Sequence, residues 1–408
     1  MSPSDDAPVC PACASGSGQL LIDQRGVATT QCVLYADEAS ARSCRRGDLI
    51  LYRCEICGLV FNAAFTADRV LYDSSYELDQ SGSARYLDHL DAMAARALAL
   101  LADRPELHVL EIGCGRGLFL HRLAARAGRR LAGAIGFDPA WRPERSAPLP
   151  STITVHRRRF DACAAQSLPV APDLIVIRHL IEHLAEPGEL LRTVRQAAQR
   201  RGGKPAILIV ETPDVDPSLE GGRFYDFYYE HCCLFSAQAL SIALERAGWS
   251  VVALDRVFGG EYLLAAAAIG VTSAGAPPIQ RSRAWSPSLA DVALIQRWRA
   301  YLRSSQGYGE VAVWGAAGKG ATFVAWVDPQ RELVDCLIDV NPRKHGSFIA
   351  GTGHPVRSLP DVAQRLSAVL VMNDNYLAEV TAACREQGVR ATIHPAALGP
   401  PARDADSR

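Results

Sequence analysis

Short, nearly unbroken apolar runs, each closed by glycine or an acid, alternate with stretches of helical spacing through most of the chain. Leu107-His-Val-Leu-Glu-Ile112 leads into Gly113-Cys-Gly115-Arg-Gly117. A run with so little polar alternation predicts a strand buried on both faces of a parallel sheet. Beyond the glycines, Leu118, Leu120, Leu123 and Ala124 follow helical spacing and predict a helix over 118–130. Ala132-Gly-Ala-Ile-Gly-Phe137 predicts the second strand, ending at Asp138. Ile153-Thr-Val-His156, Asp173-Leu-Ile-Val-Ile-Arg178 and Pro205-Ala-Ile-Leu-Ile-Val-Glu211 predict three more. Ser236 suits the N-cap of a helix over 237–248. The Ser-, Pro- and Gly-rich stretch 272–287 reads as a linker. After a helix over 288–303, Val311-Ala-Val-Trp314-Gly315 opens a second strand–glycine–helix unit. Its later strands are Cys336-Leu-Ile-Asp339 and Ala368-Val-Leu-Val-Met372. Such alternation predicts an α/β protein with two doubly wound, nucleotide-type domains.

Composition narrows the class. With 408 residues, 49% of them hydrophobic and 21% charged, the chain is globular and long enough for several domains. Lys plus Arg number 43 against 44 Asp plus Glu, a net charge of −1, which argues against an obligate nucleic-acid binder or a polybasic membrane protein. No apolar run approaches the length of a membrane span. The polar, acidic start lacks the features of a secretory leader, so a cytoplasmic location is expected.

Six of the twelve cysteines fall in the first 57 residues. In a reducing compartment they are expected as thiols or metal ligands rather than disulfides. Cys10-Pro-Ala-Cys13 and Cys54-Glu-Ile-Cys57-Gly58 are paired CxxC knuckles, which together offer the four soft ligands of a tetrahedral Zn2+. Gly58 suits the left-handed turn of a knuckle. Four thiolates leave no open coordination position, so the metal is assigned a structural role. Cys32 and Cys44 stand alone and read as buried thiols.

The spacing of the first glycine turn selects its ligand. A dinucleotide fingerprint, GxGxxG, seats a pyrophosphate on a helix N-terminus. Here Glu111 precedes GxGxG. S-adenosylmethionine (SAM) carries no phosphate. Its methionine moiety needs close backbone approach, as Gly113, Gly115 and Gly117 allow, and its ribose needs a carboxylate such as Asp138. Asp161, past the third strand, is a secondary candidate at the adenine. Ligands of doubly wound sheets sit at the carboxyl ends of the strands, which puts Arg178, His179, Glu182 and His183 beside the cofactor. Arg178 and His179 are assigned to the cofactor and His183 to the substrate. The HxxEH pattern of inverted zinc peptidases needs a long helix, whereas a turn is expected here. Tyr72 and Tyr76, four residues apart, can share a helical face and join the cofactor set.

Gly222 to Ser236 is rich in aromatic and ionisable residues. A histidine oriented by a carboxylate is a base working near neutral pH, and a tyrosine hydroxyl can donate to a developing oxyanion. His231, Glu230 and Tyr228 are the candidates. The second glycine turn, Gly315-Ala-Ala-Gly318-Lys319-Gly320, lacks the P-loop spacing. Either Lys319 meets a phosphate-bearing substrate or the turn packs without a ligand.

Taken in order, CPAC, CEICG, the Tyr72/Tyr76 segment, EIGCGRG, GFDPA, RHLIEH, YEH-xx-x-FS, WGAAGKG, IDVNPRKHG and GTGHP resemble the three-domain sugar C-methyltransferases of deoxysugar and antibiotic biosynthesis. The resemblance covers roughly residues 8–395. It implies a small zinc-binding domain (1–75), a class I SAM methyltransferase domain (76–270), a linker (271–287) and a Rossmann-like α/β domain (288–408). It further implies a nucleotide-linked 4-keto-deoxysugar as substrate, methylated at C3 after a base generates the enolate. The family's catalytic Tyr-x-Glu-His falls on Tyr228, Glu230 and His231, and its histidine after strand four on His183. Leu234 stands where the family loop carries a second tyrosine, and Cys232-Cys233 is also unusual; these departures bear on the substrate, not on the fold. A SAM-dependent transfer to carbon, oxygen or nitrogen of a non-sugar small molecule is the second reading. A regulatory binding protein, or an oxidoreductase using the second glycine turn, is the third.

Overall fold

The computed structural model describes residues 8–70, 72, 76–77, 79–199, 204–271 and 292–401. The linker expected over 272–287 lies outside them.

The middle of the chain forms a seven-stranded sheet. Its order is Ser250–Val257, Tyr262–Ala268, Ile207–Pro213, Leu174–Arg178, Leu107–Ile112, Leu131–Phe137, Ile153–His156. All pairings are parallel except those of Tyr262–Ala268, which runs antiparallel to both neighbours. The five strands expected from the apolar runs are present, each within two residues of the expected ends. The final antiparallel pair is an addition. Tyr262–Ala268 is alanine-rich, a composition without β-propensity, and forms a strand because its seven residues are all buried between two neighbours. The order reverses at Leu107–Ile112: the chain moves out to one side, then returns to lay Leu174–Arg178 on the other. The crevice between those two strands is the ligand position of such sheets.

The helix expected over 118–130 is α-helical at Leu118–Ala127, then tightens into one 3₁₀ turn at Gly128–Arg130, where Gly128 has φ +55°. Ser236 caps Ala237–Arg246 as expected, accepting from the Ala239 amide at 3.1 Å. The helix expected from 288 is described from Val292 to Gln306.

Towards the N-terminus, Gly18–Ala28, Arg46–Cys54 and Val60–Asn62 form an antiparallel sheet whose fourth strand, Cys233–Leu234, comes from the segment that follows Ile207–Pro213 of the middle sheet. The C-terminal unit is a five-stranded parallel sheet, ordered Val356–Arg357, Cys336–Ile338, Glu310–Trp314, Leu366–Val371, Thr392–Pro395. Phe224 and Tyr225, from the middle unit, are buried in its core with Trp298 and Phe323. Phe348–Ile349 pairs with Leu34–Tyr35, joining the first and last units directly. Among the described residues no helix is long and apolar enough to cross a membrane.

Candidate active site

At the crevice, Gly113, Gly115 and Gly117 have φ of +74°, +53° and +75°, which side-chain-bearing residues resist. The backbone at Gly115 faces open space, since a Cβ there would meet nothing within 4 Å. The Gly115 amide donates to Asp138 Oδ2 at 2.8 Å, and Ala140 donates to Oδ1 at 2.7 Å. This fixes a half-buried carboxylate beside the loop with lone pairs to spare. Glu111 is buried and its Oε2 lacks a hydrogen-bond partner. Burial pushes its pKa up to about 8; Arg178 opposes the rise, while Asp138 and Glu211 add to it. An orphaned buried acceptor needs a donor, and the ammonium and hydroxyl groups of SAM provide donors. The residues therefore fit that cofactor. Asp161 is exposed and caps the helix Ala162–Ser167, accepting from the Ala164 amide at 2.7 Å.

Arg178 and His179 are turned inward. Arg178 donates to Glu211 Oε1 at 2.9 Å and to the Tyr86 hydroxyl at 3.1 Å. Glu211 Oε2 lies 2.6 Å from His89 Nε2, and Glu211 Oε1 lies 2.9 Å from His179 Nε2. Burial disfavours a charged His179, but Glu182 and Glu211 outweigh it and carry its pKa up to about 10. The two expected cofactor contacts thus form, with Glu211, a charged floor beneath the crevice. His89 and Glu211 carry no motif signal. The pairing of Arg178 opposite Glu211 on adjacent strands is the feature that links them.

The 3₁₀ turn Ile181–His183 and the segment 228–231 meet above this floor. His183 Nδ1 lies 2.6 Å from the Tyr72 hydroxyl, within hydrogen-bond distance. The His183 and His231 rings stand edge to face, 4.6 Å between centroids. His231 Nε2 is 3.1 Å from the Tyr228 hydroxyl. Burial holds His231 well below the usual imidazole pKa, and the positive ends of His183, His179 and Lys319 add to this. Burial, reinforced by the charge of Glu230, holds the Tyr228 phenol well above its usual value. A neutral imidazole therefore faces a protonated phenol. Glu230 does not orient His231 as expected. Its Oε1 accepts from the Gln31 amide at 2.9 Å, its Oε2 has no partner, and burial raises its pKa to about 7. Tyr76 is extended rather than helical, bridging to Val33, with its ring 5.3 Å from Tyr72. Both tyrosines thereby lie at the His183–His231 end of the crevice.

Residues 85–254 match the methyltransferase-domain family, and residues 292–393 match the C-methyltransferase C-terminal-domain family. The chain is a methyltransferase enzyme. No curated protein matches it. Among solved structures, the enzyme is similar to a SAM-dependent methyltransferase from Aquifex aeolicus, at 18% identity over 47% of this chain and 100% of that one, TM-score 0.30. It is similar to one from Mesorhizobium loti, at 18% identity over 44% and 99%, TM-score 0.33. A third is the Burkholderia thailandensis 1,6-didemethyltoxoflavin-N1-methyltransferase, at 14% identity over 46% of this chain and 82% of that one, TM-score 0.34.

The methyltransferase also gathers the four knuckle thiols. Cys10 and Cys57 Sγ are 3.6 Å apart, and Cys13 and Cys54 Sγ 3.4 Å. All four sulfurs lie within 4.8 Å of one another, a group that can hold a metal ion. Gly58 has φ +78°, the left-handed turn its place after the knuckle called for. Cys32 is buried and Cys44 half-buried, both outside this group. The Leu234 side chain is buried among Leu49, Leu51, Val60 and Phe227, and its short strand runs beside the turn Ile181–His183.

Proposed function

We propose that this enzyme is a C-methyltransferase acting on a nucleotide-linked 4-keto-deoxysugar. The observation that carries the reading is the pair of a neutral His231 and a protonated Tyr228, 3.1 Å apart, beside a SAM cradle. Transfer to oxygen or nitrogen often needs little beyond positioning. Transfer to carbon needs a base for a C–H proton and a donor for the enolate oxygen. His231 takes the C3 proton. Tyr228 donates to the C4 oxygen as charge develops there, and His183, held by Tyr72, packs the imidazole in place. SAM, when bound, supplies the electrophilic methyl that the C3 carbanion takes. The C-methyltransferase match at the C-terminus supports carbon as the acceptor.

We further propose that the four thiols hold Zn2+ in a structural role. Tetrahedral Zn–S bonds of about 2.3 Å place sulfurs a little under 4 Å apart, close to the observed spacings. A reducing cytoplasmic setting suits the free thiols.

The test is mass spectrometry of enzyme incubated with a nucleotide-linked 4-keto-deoxysugar in deuterated water. Without SAM, C3 should take up deuterium; with SAM, the product should gain one methyl. His231→Ala should lower both by about 10²–10⁴-fold. SAM binding with neither event would move the enzyme to the second reading, transfer to another small molecule.

A further inference from the structure

The second glycine turn has the outline of a nucleotide site, yet its ligand-binding groups are already engaged inside the protein. Asp339, at the end of the second C-terminal strand, stands where a ribose acceptor would. Its Oδ2 accepts from the Ala316 amide at 3.0 Å and from Lys344 Nζ at 2.8 Å, and its Oδ1 from the Asn341 amide at 2.9 Å. Lys319, the cation a phosphate would need, is bonded to Asp226 at 2.6 Å and Glu261 at 2.5 Å. Both acids come from the methyltransferase domain.

What occupies the turn is Tyr228. A Cβ on Gly318 would lie 2.9 Å from the Tyr228 hydroxyl oxygen and 3.0 Å from its Cζ. The neighbouring glycines serve the turn itself: Gly315 has φ +106°, and a Cβ on Gly320 would lie 2.0 Å from the Gly315 carbonyl oxygen. Gly318 has neither requirement. It opens the helix Gly318–Val327 without a positive φ, and alanine there would favour the helix. The obstacle to a side chain at 318 is the tyrosine. The approach to Tyr228 is fixed by the same helix. Phe224 stacks on Phe323 at 5.9 Å, and Asp226, two residues before Tyr228, is held by Lys319 and by Ser218 Oγ at 2.6 Å. The next residue is seated likewise from the other side: a Cβ on Gly47 would lie 2.4 Å from the Tyr229 ring, and the Tyr229 hydroxyl oxygen accepts from the Thr66 amide at 2.9 Å.

We propose that the C-terminal glycine turn is a positioning element of the methyltransferase site. Gly318 leaves the gap in which the Tyr228 hydroxyl sits, and Lys319 anchors Asp226 so that the phenol stays within reach of His231. The inference rests on the reading of Tyr228 as the donor to the enolate oxygen. Gly318 and Lys319 act through Tyr228 and touch no substrate.

The experiment is a double-mutant cycle on the full chain. Gly318→Ala should lower kcat for the 4-keto-deoxysugar about 10²-fold, the order expected for a displacement of about 1 Å at a reacting group, with Kd for SAM and the melting temperature unchanged. In a Tyr228→Phe background the same substitution should cost less than about threefold, because the group it displaces is gone. A full, additive loss in that background overturns the proposal. Lys319→Arg should retain kcat and Lys319→Met lower it; equal activity of all three proteins overturns the anchoring role. A second arm needs no substrate. With 3-fluorotyrosine at position 228, Gly318→Ala should shift the fluorine resonance, and an unmoved resonance overturns the positioning role. If Tyr228→Phe keeps full turnover, the enolate-donor reading fails, and with it the kinetic arm. The resonance then decides the positioning role alone.

Discussion

At the scale of single residues, the site is a set of buried groups whose charge states are fixed by what surrounds them. Glu230, beside the His231–Tyr228 pair, changes state in the working range, as does Glu111 in the cofactor cradle near pH 8. Burial lifts the Glu230 pKa to about 7, with the Gln31 amide and Tyr76 opposing. Below that pH it is a neutral acid; above it, the negative charge helps hold Tyr228 protonated. We expect kcat/KM to rise about tenfold per pH unit up to about 7 and then level, and Glu230→Gln to be flat from pH 6 to 8.5 at a lower plateau. A limb that survives the substitution would refute this assignment. The stability sign is opposite. A carboxyl with a raised folded pKa contributes stability that is present below the unfolded pKa and lost as pH rises through about 7. Glu230→Gln should therefore be more stable than the parent at pH 8, by on the order of 3 kcal/mol at most, and gain nothing near pH 4. The types of these residues were legible in the sequence, and Tyr228, Glu230, His231 and His183 do converge. Their bonds were not. Which way Glu230 turns depends on Gln31, some two hundred positions away, and nothing local in the sequence encodes that.

At the scale of elements, the segment 228–236 is a thread drawn through three structures. Tyr228 is seated on the C-terminal unit and Tyr229 on the N-terminal sheet. Cys233 and Leu234 pair with Phe61 and Val60. Strand pairing decides the status of Leu234, the departure from the family loop. Its side chain packs into the apolar layer with Leu49, Leu51, Val60 and Phe227, with only 4% of it exposed. Leu234→Tyr should then act as overpacking: a loss of about 1–3 kcal/mol in urea unfolding, with the ratio of kcat/KM between competing substrates unchanged. A changed substrate ratio at unchanged stability would return Leu234 to the site. The five parallel strands of the middle sheet and three of the five C-terminal strands were readable because buried parallel strands are continuous apolar runs; Val356–Arg357 and Thr392–Pro395, short and only partly apolar, were not. Cys233–Leu234 was not, since a two-residue strand has no periodicity to read. Tyr262–Ala268 was hidden by its alanines, which carry no strand signal until the neighbours are known.

At the scale of the whole molecule, the connections between units exceed what their separate folds require. Cys10, Cys54, Cys57, Leu59 and Phe61 of the N-terminal unit lie in one apolar cluster with Ile112, Ile177 and Leu263 of the middle sheet. Phe224 and Tyr225 of the middle unit lie in the C-terminal core. Phe348–Ile349 closes the circuit back to Leu34–Tyr35. Each unit thus buries side chains that belong to another, and none can unfold without exposing apolar surface on a neighbour. Multidomain chains commonly melt in separate steps; this one should not. Calorimetry should show a single transition whose calorimetric and van't Hoff enthalpies agree. A strong chelator at neutral pH should move that whole transition down, because a metal bound only by the folded state stabilises everything cooperative with its site. Loss of a small, separate, chelator-sensitive transition would instead show the four-cysteine unit folding alone. The distinction bears on catalysis. If the transition is single and the four thiols hold the proposed metal, its removal loosens Val60–Asn62, then the strand Cys233–Leu234 paired to it, and through that strand His231. Turnover should then fall in parallel with the folded fraction, at every chelator concentration, although the thiols lie outside the catalytic crevice.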